Sequence, residues 1–354
     1  MHLLTKGFGG RISRKWLLLA GVTIALVLLL RLGLSFLPRP TPSQTAAFQP
    51  LTTIAPQAQR VEVGFYPMHV YELNIASNTY YIDAYVWLKW QGKLDPIANL
   101  EFTNAVDEWG MTQRAEYEKP IQQADGSWYQ GLRIEGRFFQ PFGLSRYPLD
   151  QQQLGITIEN SIYTANQLVY VADTKDSGYV DTLSVQGWQI RGWRLQNLLH
   201  TYPSRFGFVE TATNPYSAVR YELQVTRPLS YFLWKLLLPL VIVLASSWGA
   251  LLLNPTYVDP RIAIPITALL TIVFLQQSYS SALPESGYLV LLDKIYALAY
   301  LLVIATIMEA IVTADWVKSG EPEAIQRVLR LDRPFLIVQC FILVSGILLL
   351  ITLA

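Results

Sequence analysis

Four apolar segments toward the C-terminal end of the chain are the feature that most constrains its fold. They span residues 231–253, 262–283, 289–314 and 335–354, and a fifth apolar segment, 16–37, lies near the N-terminus. A helix needs about 20 predominantly apolar residues to cross the hydrocarbon core of a bilayer. The sequence therefore predicts a four-helix transmembrane bundle within residues 229–354 and a further hydrophobic segment within residues 1–37.

The first hydrophobic segment has two interpretations. Its apolar run is interrupted by Arg31, and Thr45-Ala46-Ala47 resembles the small-residue cleavage site of a secretory signal. That site lies far from the apolar run, whereas signal sequences are usually cut close to it. Residues 1–37 are therefore a cytoplasmic N-terminus followed by a signal anchor, or else a cleaved signal peptide.

The region between the first and second apolar segments has a different character. Residues 38–58 form a linker rich in Pro, Thr, Ser and Gln. Short stretches that alternate apolar and polar residues follow it, as in 219–226 and in 80–90, where Ile82, Ala84, Val86 and Leu88 share one face. A period of two is typical of half-buried strands. The sequence predicts a β-sandwich over residues 59–228, so the fold class is a membrane protein that joins an all-β domain to an all-α one.

Two clusters of basic residues predict the orientation in the membrane. The first precedes segment 16–37, and the second lies in the loop before segment 335–354; the residues are Lys6, Arg11, Arg14, Lys15, Lys318, Arg327, Arg330 and Arg333. Basic residues that flank membrane helices favour the cytoplasmic side. Both clusters satisfy one topology, which places the β domain outside the cytoplasm.

Composition and motifs exclude several classes of function. The net charge is +1, so the chain carries no basic field suited to nucleic acid. Its single cysteine, Cys340, allows no disulfide within the chain, and its three histidines lie far apart, so no metal site is expected. The sequence contains no nucleophile elbow, phosphate loop or metal-ligand cluster. We therefore predict no cofactor and no enzyme activity, and a membrane-anchored enzyme is the weakest alternative.

Segment 262–283 and the residues just before it carry a polar stripe. Steps of four and three residues place on one helical face Asp259, Ala263, Thr267, Leu270, Phe274, Gln277 and Ser281. A ring of such helices would form a charged mouth, an apolar constriction and a wet vestibule, which are the parts of a gated pore. The alternative is a helix whose Thr and Gln side chains bond to neighbouring helices.

Four motifs, in order, resemble those of the pentameric ligand-gated ion channels of the Cys-loop superfamily, especially prokaryotic members without the loop disulfide. Residues 100–105, LEFTNA, resemble a binding-loop segment of bacterial members, and 146–152, RYPLDQQ, resemble the core of the Cys loop. Residues 227–239, RPLSYFLWKLLLP, are similar to the start of the first membrane helix. Residues 261–271, RIAIPITALLT, resemble the pore helix. Gln140 and Leu154 stand where the cysteines of the loop would be.

The resemblance implies a homopentamer in the bacterial inner membrane, with its β domain in the periplasm and a small-molecule ligand between adjacent subunits. The ligand is an amine, which aromatic rings attract through cation–π contacts, or protons. The candidate ligand-binding residues are Trp87, Trp109, Tyr163, Tyr202 and Phe206. The residues expected to couple the domains are Phe142, Asp150, Arg227 and Pro284. The expected partners are the other subunits, membrane lipid and permeant monovalent cations.

The selectivity for cations is predicted from Asp259, which would form an acidic ring at the cytoplasmic mouth. Arg261 lies about 200° further around the helix and is expected to turn toward lipid headgroups or the cytoplasm. Pro265 and Phe274 depart from the family pattern, because a proline removes a helical hydrogen bond and a bulky ring narrows a pore. They motivate the alternative of a non-conducting or constitutively closed receptor of the same fold.

Overall fold

The structure is a computed structural model, and it describes residues 48–106, 108–204, 206–207, 215–285, 287–318 and 320–353. The predicted hydrophobic segment 16–37 lies outside the described residues, as does the linker up to residue 47. Part of the predicted linker is not irregular, because Phe48–Pro50 forms a strand that pairs with residues 198–200, whereas residues 51–58 form no helix or strand.

The N-terminal part of the described chain consists of β-strands. In chain order they are β1 (Phe48–Pro50), β2 (Gln59–Asn74), β3 (Thr79–Trp90), β4 (Leu100–Phe102), β5 (Thr112–Ala115), β6 (Ile121–Gln122), β7 (Trp128–Phe139), β8 (Gln151–Asn160), β9 (Leu168–Ala172), β10 (Gln189–His200) and β11 (Tyr216–Thr226). A short 3₁₀ helix, Glu108–Gly110, precedes β5.

The strands form two sheets. One has the order β1-β10-β11-β8-β4, and the other has the order β5-β7-β3-β2-β9 with β6 paired to β7. The pairs are antiparallel except β2 with β9, which is parallel. Consecutive strands β2 and β3 are neighbours, as are β10 and β11, which is the usual result of hairpin connections.

The core lies between the two sheets, and the predicted period of two is confirmed there. In β3 the side chains of Ile82, Ala84, Val86 and Leu88 are all at most 1% exposed. Phe65, on the neighbouring strand β2, stacks on a tyrosine of the opposite sheet with 5.6 Å between ring centroids. Full burial of such a side chain contributes about 1.5–3 kcal/mol. The alternation thus fixes which face of each strand joins the core.

Four helices follow, each long and apolar enough to cross a membrane. They are α1 (Tyr231–Leu252), α2 (Val258–Ser280), α3 (Leu291–Val317) and α4 (Pro322–Leu353). The β-rich domain followed by four apolar helices confirms the predicted fold class. Helix α4 begins well before the predicted apolar segment, because residues 322–334 continue the same helix with a polar, charged sequence.

Helix α1 changes its hydrogen-bonding pattern along its length. Tyr231–Leu237 is π-helical, Leu238–Gly249 is α-helical and Ala250–Leu252 is a 3₁₀ turn. Pro239 follows the π-helical segment and has no amide hydrogen with which to close the usual bond to the carbonyl four residues earlier. The wider turns are therefore found where the sequence removes a donor.

Three buried polar side chains tie the helices together. The Trp248 indole Nε1–H of α1 donates to the Gln339 side-chain oxygen of α4 at 2.5 Å. The Gln339 Nε2 in turn donates to the Thr306 hydroxyl of α3 at 3.1 Å. Hydrogen bonds of this kind satisfy polar groups that would otherwise lie in hydrocarbon. We call these residues the α1–α3–α4 polar contact.

Candidate functional site

The exposed face of α2 is the first component of the candidate site. All of the residues predicted to line a pore are exposed on the single chain; they are Asp259, Ala263, Thr267, Leu270, Phe274, Gln277 and Ser281. The opposite face of α2 is buried against the other helices, through Arg261, Pro265, Ala268, Ile272 and Tyr279. An apolar helix with one face packed and one face bare is arranged to meet further subunits or a pore.

Pro265 lies on the packed face of α2, and the helix continues through it from Val258 to Ser280. The proline withholds the backbone donor that would bond to the carbonyl of Arg261. On the exposed face the hydroxyls of Thr267 and Thr271 donate to the carbonyls one turn earlier, those of Ala263 and Thr267, both at 2.9 Å. The threonine hydroxyl hydrogens are thereby used within the helix, and the oxygens are still able to accept.

The sequence predicted that Arg261 turns toward lipid headgroups or the cytoplasm, and this prediction is wrong. Its residue is 2% exposed, and its guanidinium bonds to carboxylates of two other helices, Glu309 and Asp332. The physical reason is that a charge buried in a helical bundle is stabilised by opposite charges nearby. The prediction failed because those partners lie on α3 and α4, far from Arg261 in sequence.

The junction between the β domain and the helices is the second component. The backbone amides of Leu291 and Leu292, at the start of α3, donate to the carbonyls of Ser145 and Tyr147 at 3.0 and 3.1 Å. The Tyr147 ring stacks on that of Tyr279 in α2, with 6.5 Å between centroids. The loop between β7 and β8 is thus fastened directly to two membrane helices.

Hydrogen bonds close this loop where the resemblance would place a disulfide. The Gln140 side-chain oxygen accepts from the Gly155 amide at 3.3 Å and from Arg220 at 3.2 Å. Gln152 and Gly143 exchange a pair of hydrogen bonds at 3.0 and 3.1 Å. The two ends of the loop are therefore held together by side-chain amides.

The predicted pair Asp150–Arg227 is present at this junction. The Arg227 Nε donates to the Asp150 carboxylate at 2.8 Å, and the two side chains are 10% and 1% exposed. The guanidinium also lies over three aromatic rings, those of Tyr147, Trp188 and Tyr231, at 4.9, 4.1 and 5.8 Å. The pair joins the end of the loop to the segment that links β11 to α1.

The other two predicted coupling residues lie in the loops that adjoin this junction, one between β7 and β8 and the other between α2 and α3. Phe142 is 7% exposed within the hydrophobic core, and its backbone amide donates to the Asn78 side chain at 3.1 Å. Pro284 follows α2 and is half-buried. The hydrogen bonds between loop and helices are made by Ser145 and Tyr147, neither of which was among the predicted coupling residues.

An aromatic and acidic cluster at the ends of β8 and β10 is the third component. The Glu159 carboxylate bonds to the His200 imidazole and accepts from the Tyr202 hydroxyl, the latter at 3.1 Å. Phe48 stacks on the His200 ring with 4.1 Å between centroids. Phe206, 65% exposed, packs edge-on against the Tyr202 ring at 5.2 Å. We call these residues the Glu159 cluster.

Burial gives the Glu159 cluster its electrostatic character. Desolvation raises the pKa of Glu159 above its ordinary value, although His200 and Tyr202 oppose the shift. A buried carboxyl with a raised pKa beside aromatic rings is able to bind a cationic group or to take up a proton. Sequence reasoning found Tyr202 and Phe206 but missed Glu159 and His200. An acid in the mostly apolar second half of β8, LGITIEN, was the signal.

The remaining predicted ligand residues lie on other elements. The Trp87 ring lies over Gly64, and its Nε1–H donates to Asp173 at 3.0 Å. Trp109, on the 3₁₀ helix, is fully exposed. Tyr163 is half-buried, and its backbone amide donates to the Asn160 side chain at 2.8 Å, one residue beyond Glu159. Of the predicted ligand residues, Tyr202 and Phe206 therefore lie together in the Glu159 cluster, and Tyr163 lies four residues after Glu159 in the sequence.

Comparisons with known proteins identify relatives of this chain. It is 22% identical over 330 residues to a proton-gated ion channel of Gloeobacter violaceus, with 88% of each chain covered. It is 25% identical over 187 residues to a gamma-aminobutyric acid receptor subunit beta of Lymnaea stagnalis, covering 52% of this chain and 36% of the subunit. It is 24% identical over 200 residues to a glutamate-gated chloride channel of Drosophila melanogaster, covering 56% and 42%.

The match spans only about a third of the length of the gamma-aminobutyric acid receptor subunits. No family model matches the chain. The relatives are ligand-gated ion channels and not enzymes, and the β sheets followed by four apolar helices fit the pentameric Cys-loop type. The resemblance drawn from the four motifs is therefore confirmed at the level of the family.

Proposed function

We propose that the chain assembles as a homopentamer and forms a ligand-gated ion channel, with the α2 helices around the pore. The observation that carries the proposal is the bare face of α2, which runs from Asp259 to Ser281. One helix per subunit cannot enclose a pore, and a closed ring of identical subunits would bring five such faces together. The bare face then becomes the lining.

The gate in this proposal is the ring formed by Leu270 and Phe274. The two residues are 56% and 65% exposed on the bare face of α2. They lie between the hydroxyl of Thr267 and the amide of Gln277, so an apolar constriction separates two wet regions. Narrow apolar constrictions close pores by excluding water.

The ligand in this proposal binds at the Glu159 cluster, between adjacent β domains. A carboxylate flanked by the rings of Tyr202 and Phe206 suits a cationic amine. The raised pKa of Glu159 also suits a response to protons. The names of two relatives, one a proton-gated channel and one a gamma-aminobutyric acid receptor subunit, match these two chemistries.

In this proposal the junction between the β domain and the helices couples ligand binding to the pore. Ligand or protons at the Glu159 cluster act on β8, whose other end carries the Asp150–Arg227 pair. The adjacent loop is hydrogen-bonded to the start of α3 through Ser145 and Tyr147. A shift of the loop therefore moves the helices that support α2.

The charge selectivity and orientation complete the proposal. Asp259 is exposed at the start of α2, and five such carboxylates would concentrate cations and repel anions. One relative is a chloride channel by name, so selectivity rests on Asp259 and not on the comparisons. The basic clusters support an orientation with the first turn of α2 in the cytoplasm. In this proposal the β domain then lies in the periplasm and the helices in a bacterial inner membrane.

A non-conducting receptor of the same fold is the second candidate. Pro265 and Phe274 favour this candidate. The proline removes a hydrogen bond inside α2, and the large ring of Phe274 on the bare face would narrow a pore. Such a protein would bind ligand and change shape without passing ions.

Reconstitution distinguishes the two candidates. The mass of the particle in mild detergent is expected to equal five chains, and a monomer or dimer would refute the assembly. Proteoliposomes are then tested for potassium flux over a series of amines, carboxylic acids and pH values, chosen by thermal shift of the purified protein. Flux that appears with a stabilising ligand supports the channel. Ligand-induced stabilisation without flux, also in Phe274→Ala, supports the receptor.

A further inference from the structure

A buried ionic cluster lies at the end of the helical bundle remote from the β domain. Arg261 of α2 donates through Nη2 to Glu309 of α3 at 3.1 Å and to Asp332 of α4 at 2.9 Å. The side chains are 3%, 11% and 1% exposed in that order. Three different helices thus each contribute one charged residue to a site that water scarcely reaches, and we call it the Arg261 cluster.

The Arg261 cluster holds more negative than positive groups. It contains one guanidinium and two carboxyl groups, and both acids bond to the same arginine nitrogen, Nη2, so loss of either acid weakens the hold on the guanidinium. Among the described residues, no hydrogen-bond partner is found for Arg261 Nε and Nη1, Glu309 Oε1 or Asp332 Oδ2. Buried charges are usually fully paired, and unused polar atoms carry a cost. The cluster therefore retains its charges at a cost in stability, which points to a role other than packing.

The position of the cluster relative to Asp259 suggests that role. Arg261 is two residues after Asp259 in the first turns of α2, and the two side chains point about 200° apart around the helix. Asp259 lies on the bare face and Arg261 on the packed face. Opposite charges this close in sequence would largely cancel if both met the pore. The acids of α3 and α4 prevent this by holding the guanidinium inside the bundle.

On the proposed function as a cation-selective channel, we propose that Glu309 and Asp332 determine charge selectivity although neither lines the pore. They withdraw and neutralise five Arg261 charges, so the ring of Asp259 alone sets the field at the mouth. If both acids are neutralised, each guanidinium is left buried without a counter-charge. The guanidinium is then expected to move toward water or toward the Asp259 carboxylate. Its positive charge offsets the Asp259 ring there, so the mouth becomes permeable to anions.

The test is the ratio of potassium to chloride permeability, taken from reversal potentials in asymmetric potassium chloride. The double variant Glu309→Gln/Asp332→Asn is expected to lower the ratio about tenfold relative to the parent, which corresponds to about 1.4 kcal/mol. Adding Arg261→Gln is expected to restore the parent ratio, because the effect of the acids passes through the arginine charge. A double variant with the parent ratio, or a shift that survives Arg261→Gln, overturns the inference.

A matched control separates charge from packing. Thr306→Val changes a buried neutral side chain of α3 one turn before Glu309, and it is expected to lower stability without altering the ratio. If the double variant does not assemble, the permeability ratios of the two single variants test the inference instead. Each single variant is expected to assemble, because its remaining acid still pairs with Arg261. At least one of them is expected to lower the ratio twofold or more, and Arg261→Gln is expected to cancel that shift. No shift in either overturns the inference.

The same recordings distinguish this inference from the proposed function. A parent that passes no ions refutes the channel, and a parent that prefers chloride refutes cation selectivity; the inference falls with either. A parent that conducts cations while its variants keep the parent ratio refutes the inference alone.

Discussion

The Asp150–Arg227 pair gives a prediction whose size follows from its surroundings. Removing one member of a buried ion pair costs about 3–5 kcal/mol, because the other charge is left without a partner. In Asp150→Ala the guanidinium keeps three aromatic rings, and each cation–π contact is worth about 0.5–2 kcal/mol. We therefore expect a loss of about 3 kcal/mol, at the lower end of the range.

Arg227→Ala is expected to cost more than Asp150→Ala. It removes the ion pair and the ring contacts together, and it leaves a carboxylate 1% exposed. That carboxylate keeps the amide of Gln152 as a donor at 2.6 Å. We expect a loss of about 4–5 kcal/mol. The double variant should cost less than the sum of the single ones by about 2 kcal/mol, which is the coupling expected of residues in direct contact.

The assay is denaturant unfolding of the solubilised protein, followed by tryptophan fluorescence. The signal comes from ten tryptophans, and it includes Trp188, whose ring lies 4.1 Å from the Arg227 guanidinium. The control is the Asp315–Lys318 pair, whose side chains are 74% and 76% exposed, and Asp315→Ala is expected to change stability by less than about 0.5 kcal/mol. Effects of Asp150→Ala and Arg227→Ala that add to within about 0.5 kcal/mol would refute the reasoning.

The remaining predictions concern the gate, the Glu159 cluster and Trp87. Leu270→Ser should favour the open state and Phe274→Ala should raise conductance, both measured as ion flux, because each makes the constriction less apolar or wider. Burial raises the Glu159 pKa, so the neutral form contributes stability that is fully present below about pH 4.5 and is lost as the pH rises through the folded-state pKa. Thermal melts should show that Glu159→Gln removes this loss of stability with rising pH. Gly64→Ala places a methyl group 2.1 Å from the Trp87 ring and should cost about 1–3 kcal/mol in unfolding free energy.

Each of these predictions has a matched control. Ile272→Val alters the packed face of α2 and should leave flux at the parent level. Glu62→Gln alters an exposed acid on β2, in the other sheet, and should keep the pH dependence of the parent. Gly192→Ala meets no atom within 4 Å and should be neutral. Variants and controls that behave alike would contradict the assigned roles.

The sequence predicted the features that repeat along the chain. The alternation in β3 and the apolar helices were readable because a strand buries every second residue and a helix shows one face every three to four residues. The same rule separated the bare face of α2, such as Leu270, from its packed face, such as Ile272. Short patterns of this kind need no knowledge of distant neighbours.

The contacts between distant residues were not predicted from the sequence. Glu159 meets His200 only because β8 and β10 both pair with β11, which follows both in the chain. Arg261 meets its acids only because α3 and α4 pack beside α2. These contacts cannot be predicted from a local sequence period, because the partners are far apart in the sequence. The resemblance to a family did supply one of them, the Asp150–Arg227 pair.

The α1–α3–α4 polar contact has a consequence for how the protein is made. During synthesis α1, α2 and α3 leave the translocation machinery before α4 does. Until α4 arrives, the Trp248 indole lacks the acceptor that Gln339 provides, and Arg261 lacks the carboxylate of Asp332. Polar groups facing lipid are costly. A chain without α4 would therefore carry polar groups in the bilayer that lack their partners, so the arrival of α4 is the step that completes the hydrogen bonding of the bundle.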